Sequence, residues 1–175
     1  EELARDGIII ETITRGSQKI IIYDLSKGFK ENKIKFWLKV AKTAWNYFKP
    51  GIGVSPKTGL NYANQWWHRT TDWDLAAYIS AIISARKLNL IDENEFNIRI
   101  EKILHFLEAR KLSPKGIPYL CYDSDTGEPA IDIESNPSDT GKLLLALDSL
   151  KEFKPAYKER ISKIIQRNGI KKIAG

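Results

Sequence analysis

Apolar and polar positions recur with two different periods along the chain. In residues 8–13 and again in 19–23, β-branched residues cluster on either side of Arg15-Gly16-Ser17, which predicts a β-hairpin. After Gly28 the period lengthens. Ile34, Trp37, Leu38, Ala41, Trp45 and Phe48 follow the i, i+3, i+4, i+7 spacing of one helix face, and Pro50-Gly51 stops the helix. A second helix is predicted over residues 73–88. Leu75, Ile79, Ile82 and Ile83 form its wide apolar face, and Ala76, Ala77, Ala81, Ser84 and Ala85 let neighbours approach closely. Asp92 followed by Glu95 has the spacing of a capping box and opens a third helix through Phe96, Ile100, Ile103, Leu104 and Leu107. A fourth covers residues 140–150, and a fifth starts at Pro155, a favourable first helical position.

The connections alternate in length. Residues 89–92 and 151–154 are short turns of the kind that join antiparallel helical hairpins. Residues 49–72 and 111–139 are long. Successive antiparallel helices reverse direction, so both long connections are expected at the end opposite the short turns. Loops of such length are usually functional when they are not disordered. The first brings Tyr62, Trp66, Trp67 and His68 to Asp72, Trp73 and Asp74. The second brings Tyr119, Tyr122, Asp123, Asp125, Glu128, Asp132 and Glu134 to Asp139. One rim is thus expected to collect aromatic rings and carboxylates.

Composition narrows what that rim can be. The 175 residues suffice for one sizeable core, and 42% hydrophobic with 29% charged residues is ordinary for a globular protein. Residues 1–28 read as an N-terminal β-hairpin extension and residues 29–175 as one helical-hairpin domain. No apolar run approaches the roughly 20 residues of a membrane span, and the start lacks the basic residues of a signal peptide. With no methionine even at position 1, the sequence is expected to begin past a boundary of processing or cloning; its compartment stays open. Abundant Ile, Lys and Glu resemble the composition of hyperthermophile proteins, although the asparagines do not. The net charge of +6 raises nucleic-acid binding. The lysines of the first helix decorate more than one side, however, and no binding motif accompanies the basic run from Lys158 to Lys172, so nucleic acid is not the expected partner. One cysteine, Cys121, excludes an internal disulfide framework, and two histidines leave no zinc spacing; no cofactor or metal is expected. The run from Asp123 to Glu128 only faintly resembles a calcium loop.

Aromatic rings and carboxylates suit sugars. Sugar C–H faces stack on aromatic rings, and their hydroxyls donate to Asp and Glu. Glycoside hydrolysis also needs two carboxyl groups, one protonated as acid and one ionised as base or nucleophile. Asp74 is the sharpest candidate, although an aspartate at a helix start also serves as a cap, the reading preferred for Asp72. Asp139 shares the ambiguity. Packing of the long loop is the alternative reading for Trp66, Trp67 and His68, His105 reads as structural, and Cys121 has no evident base beside it.

The order TTDWDLAAYISAIISARKLNLIDENEF, a Tyr-containing TG loop and then SDTGKLLLALDSL resembles a domain family of unknown function allied to the six-hairpin glycosidases. The similarity covers residues 36–150. Trp73 and Asp74 match the family's Trp-Asp at the second helix, Asp139 and Gly141 its Asp-x-Gly at the fourth, and Tyr122 and Gly127 the loop between. The resemblance implies a mainly α fold of antiparallel helical hairpins, part of an (α/α) toroid, with a carbohydrate site at inner helix ends and rim loops. Some five helices supply only an arc of six hairpins, so a fragment, a homodimer or an open groove are all compatible. The expected function is carbohydrate-active, with oligosaccharide or polysaccharide as partner. A glycoside hydrolase would use Asp74 and Asp139 as acid and base or nucleophile, with Asp123 in reserve, and Trp66, Trp67, Trp73, Tyr119 and Tyr122 against the sugar. The alternative is a non-catalytic carbohydrate-binding or assembly module.

Overall fold

The computed structural model describes residues 9–15, 18–23 and 31–168. Contacts divide the chain into two units, Glu1–Thr43 and Ala44–Gly175. In the first, strand β1 (Ile9–Arg15) pairs antiparallel with β2 (Gln18–Tyr23), with Ile13 opposite Ile20 and Arg15 opposite Gln18. This is the predicted hairpin. Helix α1 (Glu31–Trp45) begins in this unit. Its Ile34, Phe36, Trp37 and Val40 are exposed, so the apolar face read from the sequence is a buried face only at its far end.

That far end lies in the second unit. Trp45 and Phe48, the latter in a short 3-10 turn, pack against the core, and Phe48 stacks on Tyr78 with ring centroids 5.1 Å apart. Arg99 secures the junction by donating to the Phe48 carbonyl and the Tyr78 hydroxyl, with its guanidinium 5.0 Å from the Trp45 ring centroid. The core itself comes from four further helices: α2 (Asp72–Lys87), α3 (Glu93–Ala109), α4 (Pro137–Phe153) and α5 (Lys158–Arg167), the last entered through a 3-10 turn at Pro155–Tyr157. Leu75, Ile79 and Ile82 of α2 meet Leu143 and Leu147 of α4, while Ile100, Ile103, Leu104 and Leu107 of α3 close the other side. Transfer of such side chains from water, about 1.5–3 kcal/mol each, is the main force assembling the unit.

The helix starts follow local chemistry. Thr71 caps α2, Asp92 caps α3 and Asn136 caps α4, each side-chain oxygen accepting from a backbone N–H three residues on. Asn136 followed by Pro137 therefore starts α4 three residues before the expected position. The Asp92–Glu95 pair makes only half a capping box, because the Glu95 carboxylate is drawn instead to Arg99, 2.7 Å away. The chain is mainly α with a small antiparallel hairpin, as expected, and both long connections gather at the N-terminal ends of α2 and α4. Among the described residues no helix is long and apolar enough to cross a membrane.

Candidate functional site

Beneath the rim, a buried polar network ties four helix ends together. Asp72 is fully enclosed, with one carboxylate oxygen 2.5 Å from Nη1 of Arg110 and the other accepting from the Thr140 hydroxyl at 3.0 Å. Arg110 Nε donates to Asn168 Oδ1 at 2.6 Å, and Asn168 in turn donates to the carbonyls of Leu107 and Ile164. The start of α2, the end of α3, the start of α4 and the end of α5 thus meet on one ion pair. Asp72 was expected to cap α2; Thr71 performs that task, leaving Asp72 free to turn inward and neutralise Arg110.

Asp74 completes the cap. Its Oδ2 accepts from the Thr71 backbone N–H at 3.0 Å and the Thr71 hydroxyl at 2.8 Å, while its own N–H donates to Thr71 Oγ1, a reciprocal capping box. Its Oδ1 holds no hydrogen bond among the described residues. Asp139 occupies the same place in α4. Its N–H is capped by Asn136, and its half-exposed carboxylate makes no hydrogen bond or ion pair among the described residues. Lys142, three residues on and so on the same face, places its ammonium 2.9 Å from the centroid of the Trp73 ring. Trp73, Ala77 and Ser80 of α2 face Lys142, Leu145 and Ser149 of α4 across a groove of about 280 Å³. Asp74 and Asp139 therefore stand at the heads of two packed helices that both start at the rim.

The long connections are ordered by each other. Short strands β3 (Arg69–Thr70) and β4 (Tyr122–Asp123) join them in antiparallel register. Asp123 Oδ1 accepts from the N–H groups of Asp125 and Thr126 and from the Thr126 hydroxyl, at 2.9–3.0 Å. Gly127 follows with φ +78°, which closes the turn. The turn sends Ser124 and Asp125 into the first loop. Ser124 donates its hydroxyl to Asn61 O and its N–H to His68 O, and it accepts from the Thr58 hydroxyl at its carbonyl. Asp125 Oδ1 accepts from Ser55 Oγ at 2.6 Å and Tyr62 Oη at 2.9 Å, while Oδ2 lies 3.5 Å from His68 Nδ1. Tyr62 stacks on His68, centroids 3.9 Å apart and planes within 1°. The Ser55 hydroxyl, then the Tyr62 hydroxyl and His68, hold the Asp125 carboxyl below its ordinary range. Burial, followed by this carboxylate, raises the Tyr62 phenol.

Of the expected aromatic residues, Trp66 is 88% exposed and Trp67 38% exposed, on a turn fixed by Asn64, whose Oδ1 accepts from both of their N–H groups. Arg69 lies over the Trp67 ring. Tyr119 is half-buried, with its ring edge-on to Tyr122. Tyr122 is 1% exposed, its hydroxyl donating to Lys111 O and accepting from Tyr119 N–H; a ring so enclosed supports the loop and offers no face to a sugar. Asp123 is likewise committed to its turn through Oδ1, and Asp125 to Ser55, Tyr62 and His68 through both oxygens. The DSDTG sequence carries the signal for the turn, since an Asx-turn uses the first carboxylate and leaves the second to other partners. His105, read as structural, lies exposed on α3. Burial raises the Cys121 thiol, although Arg69 beside it acts in the opposite sense. Among the described residues, no group of three or more His, Cys, Asp or Glu residues is placed to hold a metal ion.

Helical hairpins whose long connections converge over the starts of two parallel helices define an arc of an (α/α) toroid. The chain belongs to the family described as "Protein of unknown function (DUF3131)", whose family model matches residues 39–175. No curated protein matches it significantly in sequence. In structure it is similar to a beta-1,2-glucanase from Parabacteroides distasonis, at 17% identity and TM-score 0.68, covering 89% of this chain and 23% of that one. It is also similar to two proposed glucoamylases. That from Bacteroides caccae has 19% identity and TM-score 0.61 over 76% of this chain and 37% of its own; that from Bacteroides fragilis has 18% identity and TM-score 0.60 over 89% and 38%. The likeness is one of helical fold, and this chain spans well under half the length of each neighbour.

Proposed function

We propose that the second unit acts on or binds carbohydrate at its long-loop rim. The observation that carries this reading is Trp66, an indole almost fully exposed yet held on a hydrogen-bonded turn beside the strand that leads into α2. A buried or mobile tryptophan would have a packing explanation; an open ring on a pinned turn suits the C–H face of a sugar. Trp67 and Trp73 extend the apolar surface, and Asp74 and Asp139 supply acceptors for hydroxyls. The kinship in fold with glycosidases supports the same substrate class, without assigning chemistry, because activity resides in the site.

As a hydrolase, the rim would use Asp74 and Asp139, one carboxyl protonating the leaving oxygen and the other, ionised, activating water or attacking the sugar. A specific observation favours the rival, a binding module without catalysis: Asp74 already spends one oxygen and its N–H on the Thr71 cap. Turnover separates the two. A panel of α- and β-linked gluco-oligosaccharides is incubated with the intact chain, with Asp74→Asn and with Asp139→Asn, circular dichroism checking each fold. The hydrolase reading predicts cleavage that falls at least about 100-fold in either variant. Cleavage unchanged in both removes their catalytic assignment, and absence of cleavage alongside binding selects the module.

A further inference from the structure

A second cleft lies away from the tryptophans, between α3 and the tips of the two long loops. It encloses about 680 Å³, within the range of small-molecule sites. Its walls come from separate parts of the chain: Lys57 from the first loop, Lys102 and His105 from α3, Lys111 from the start of the second loop, and Arg160 from α5. Phe106 and Ala109 supply apolar surface between them, with the fully buried Leu60 behind.

The charges in this cleft are unevenly compensated. Arg160 is neutralised, its Nε 2.6 Å from Glu108 and its Nη1 2.5 Å from Glu101. Glu101 and Glu108, both on α3, share this one guanidinium. Lys57, Lys102 and Lys111 are exposed, and their ammonium groups make no ion pair or hydrogen bond among the described residues; the remaining carboxylate of the lining is Glu128. Behind them sits Arg110, whose buried Nη2 has no hydrogen-bond partner among the described residues, an uncommon condition for a guanidinium. Three lysines from three elements therefore line this cavity, opposed by Glu128 and by the one negative charge that Glu101 and Glu108 together leave over against Arg160.

The geometry points to a binding site for a small anionic ligand with an apolar-faced body, the chemistry that uronate oligosaccharides and sugar phosphates share. The lysines meet its carboxylates or phosphates as mobile point charges, and Phe106 and Ala109 meet the C–H surface of its body. This site stands independently of the rim.

Isothermal titration of the intact chain with trigalacturonate, glucose 1,6-bisphosphate, inorganic pyrophosphate and a short single-stranded DNA tests it. Either saccharide is expected to bind with Kd below about 1 mM, more weakly at about 200 mM than at about 50 mM salt. The triple variant Lys57→Gln/Lys102→Gln/Lys111→Gln should lose at least about tenfold, and Trp66→Ala should leave this binding unchanged. Which saccharide binds identifies the source of the anion. The inference is overturned if neither binds, if the triple variant binds as well as the parent, or if pyrophosphate or the DNA alone is retained.

Discussion

Asp72 and Asp74, two residues apart, show how little a residue's type reveals about its task. Both are carboxylates in the first turn of α2, where the helix dipole favours either. At about 100° of rotation per residue they point to different sides, so one enters the core and the other meets Thr71. Arg110 decides the outcome, because a guanidinium at the end of α3 would be buried without a counter-charge. The pair is enclosed on both sides, and removing one member leaves a charge in a low-dielectric interior. Asp72→Asn is therefore expected to destabilise the chain by about 3–5 kcal/mol, measured by urea denaturation; a loss below about 1 kcal/mol would show the network to be dispensable. Nothing in the sequence announces this pair, since its partners are 38 residues apart. Asp125 was partly legible. The turn signature of DSDTG spends Asp123, yet the contacts of Asp125 with Ser55, Tyr62 and His68 depend on how two loops meet.

At the scale of elements, the helices were readable because their apolar periodicity and caps are local. Leu75, Ile79 and Ile82 state the face of α2, and short turns state that α2–α3 and α4–α5 are hairpins. Boundaries moved where side chains competed for caps, as at Asn136, or where Pro155 began a 3-10 turn before α5. The clasp between the long loops was not readable, because its hydrogen bonds pair irregular backbone at separations such as Ser124 to Asn61, 63 residues. Ser124 is fully buried and satisfies the Asn61 carbonyl. Ser124→Ala leaves that acceptor with less compensation and is expected to cost about 1–3 kcal/mol. Because the clasp lies outside the helical core, hydrogen exchange should accelerate first in residues 55–70 and 120–128. Equal acceleration throughout α2–α4 would contradict the separation of loop order from core order.

For the whole molecule, helix directions and loop lengths suffice to place aromatic and acidic residues at one end. The match over residues 39–175 assigns the chain to the DUF3131 family. The fold is that expected, while the chemistry rests on which side chains a ligand touches. The central claim is that the pinned, open indole of Trp66 contacts carbohydrate. Its most direct test is calorimetric titration of the intact chain and of Trp66→Ala with a panel of α- and β-linked gluco-oligosaccharides, under conditions where both are shown to be folded. The account predicts that at least one oligosaccharide binds and that Trp66→Ala weakens it by at least about tenfold, about 1.4 kcal/mol. Absence of binding across the panel, or binding that Trp66→Ala leaves unchanged, would contradict it.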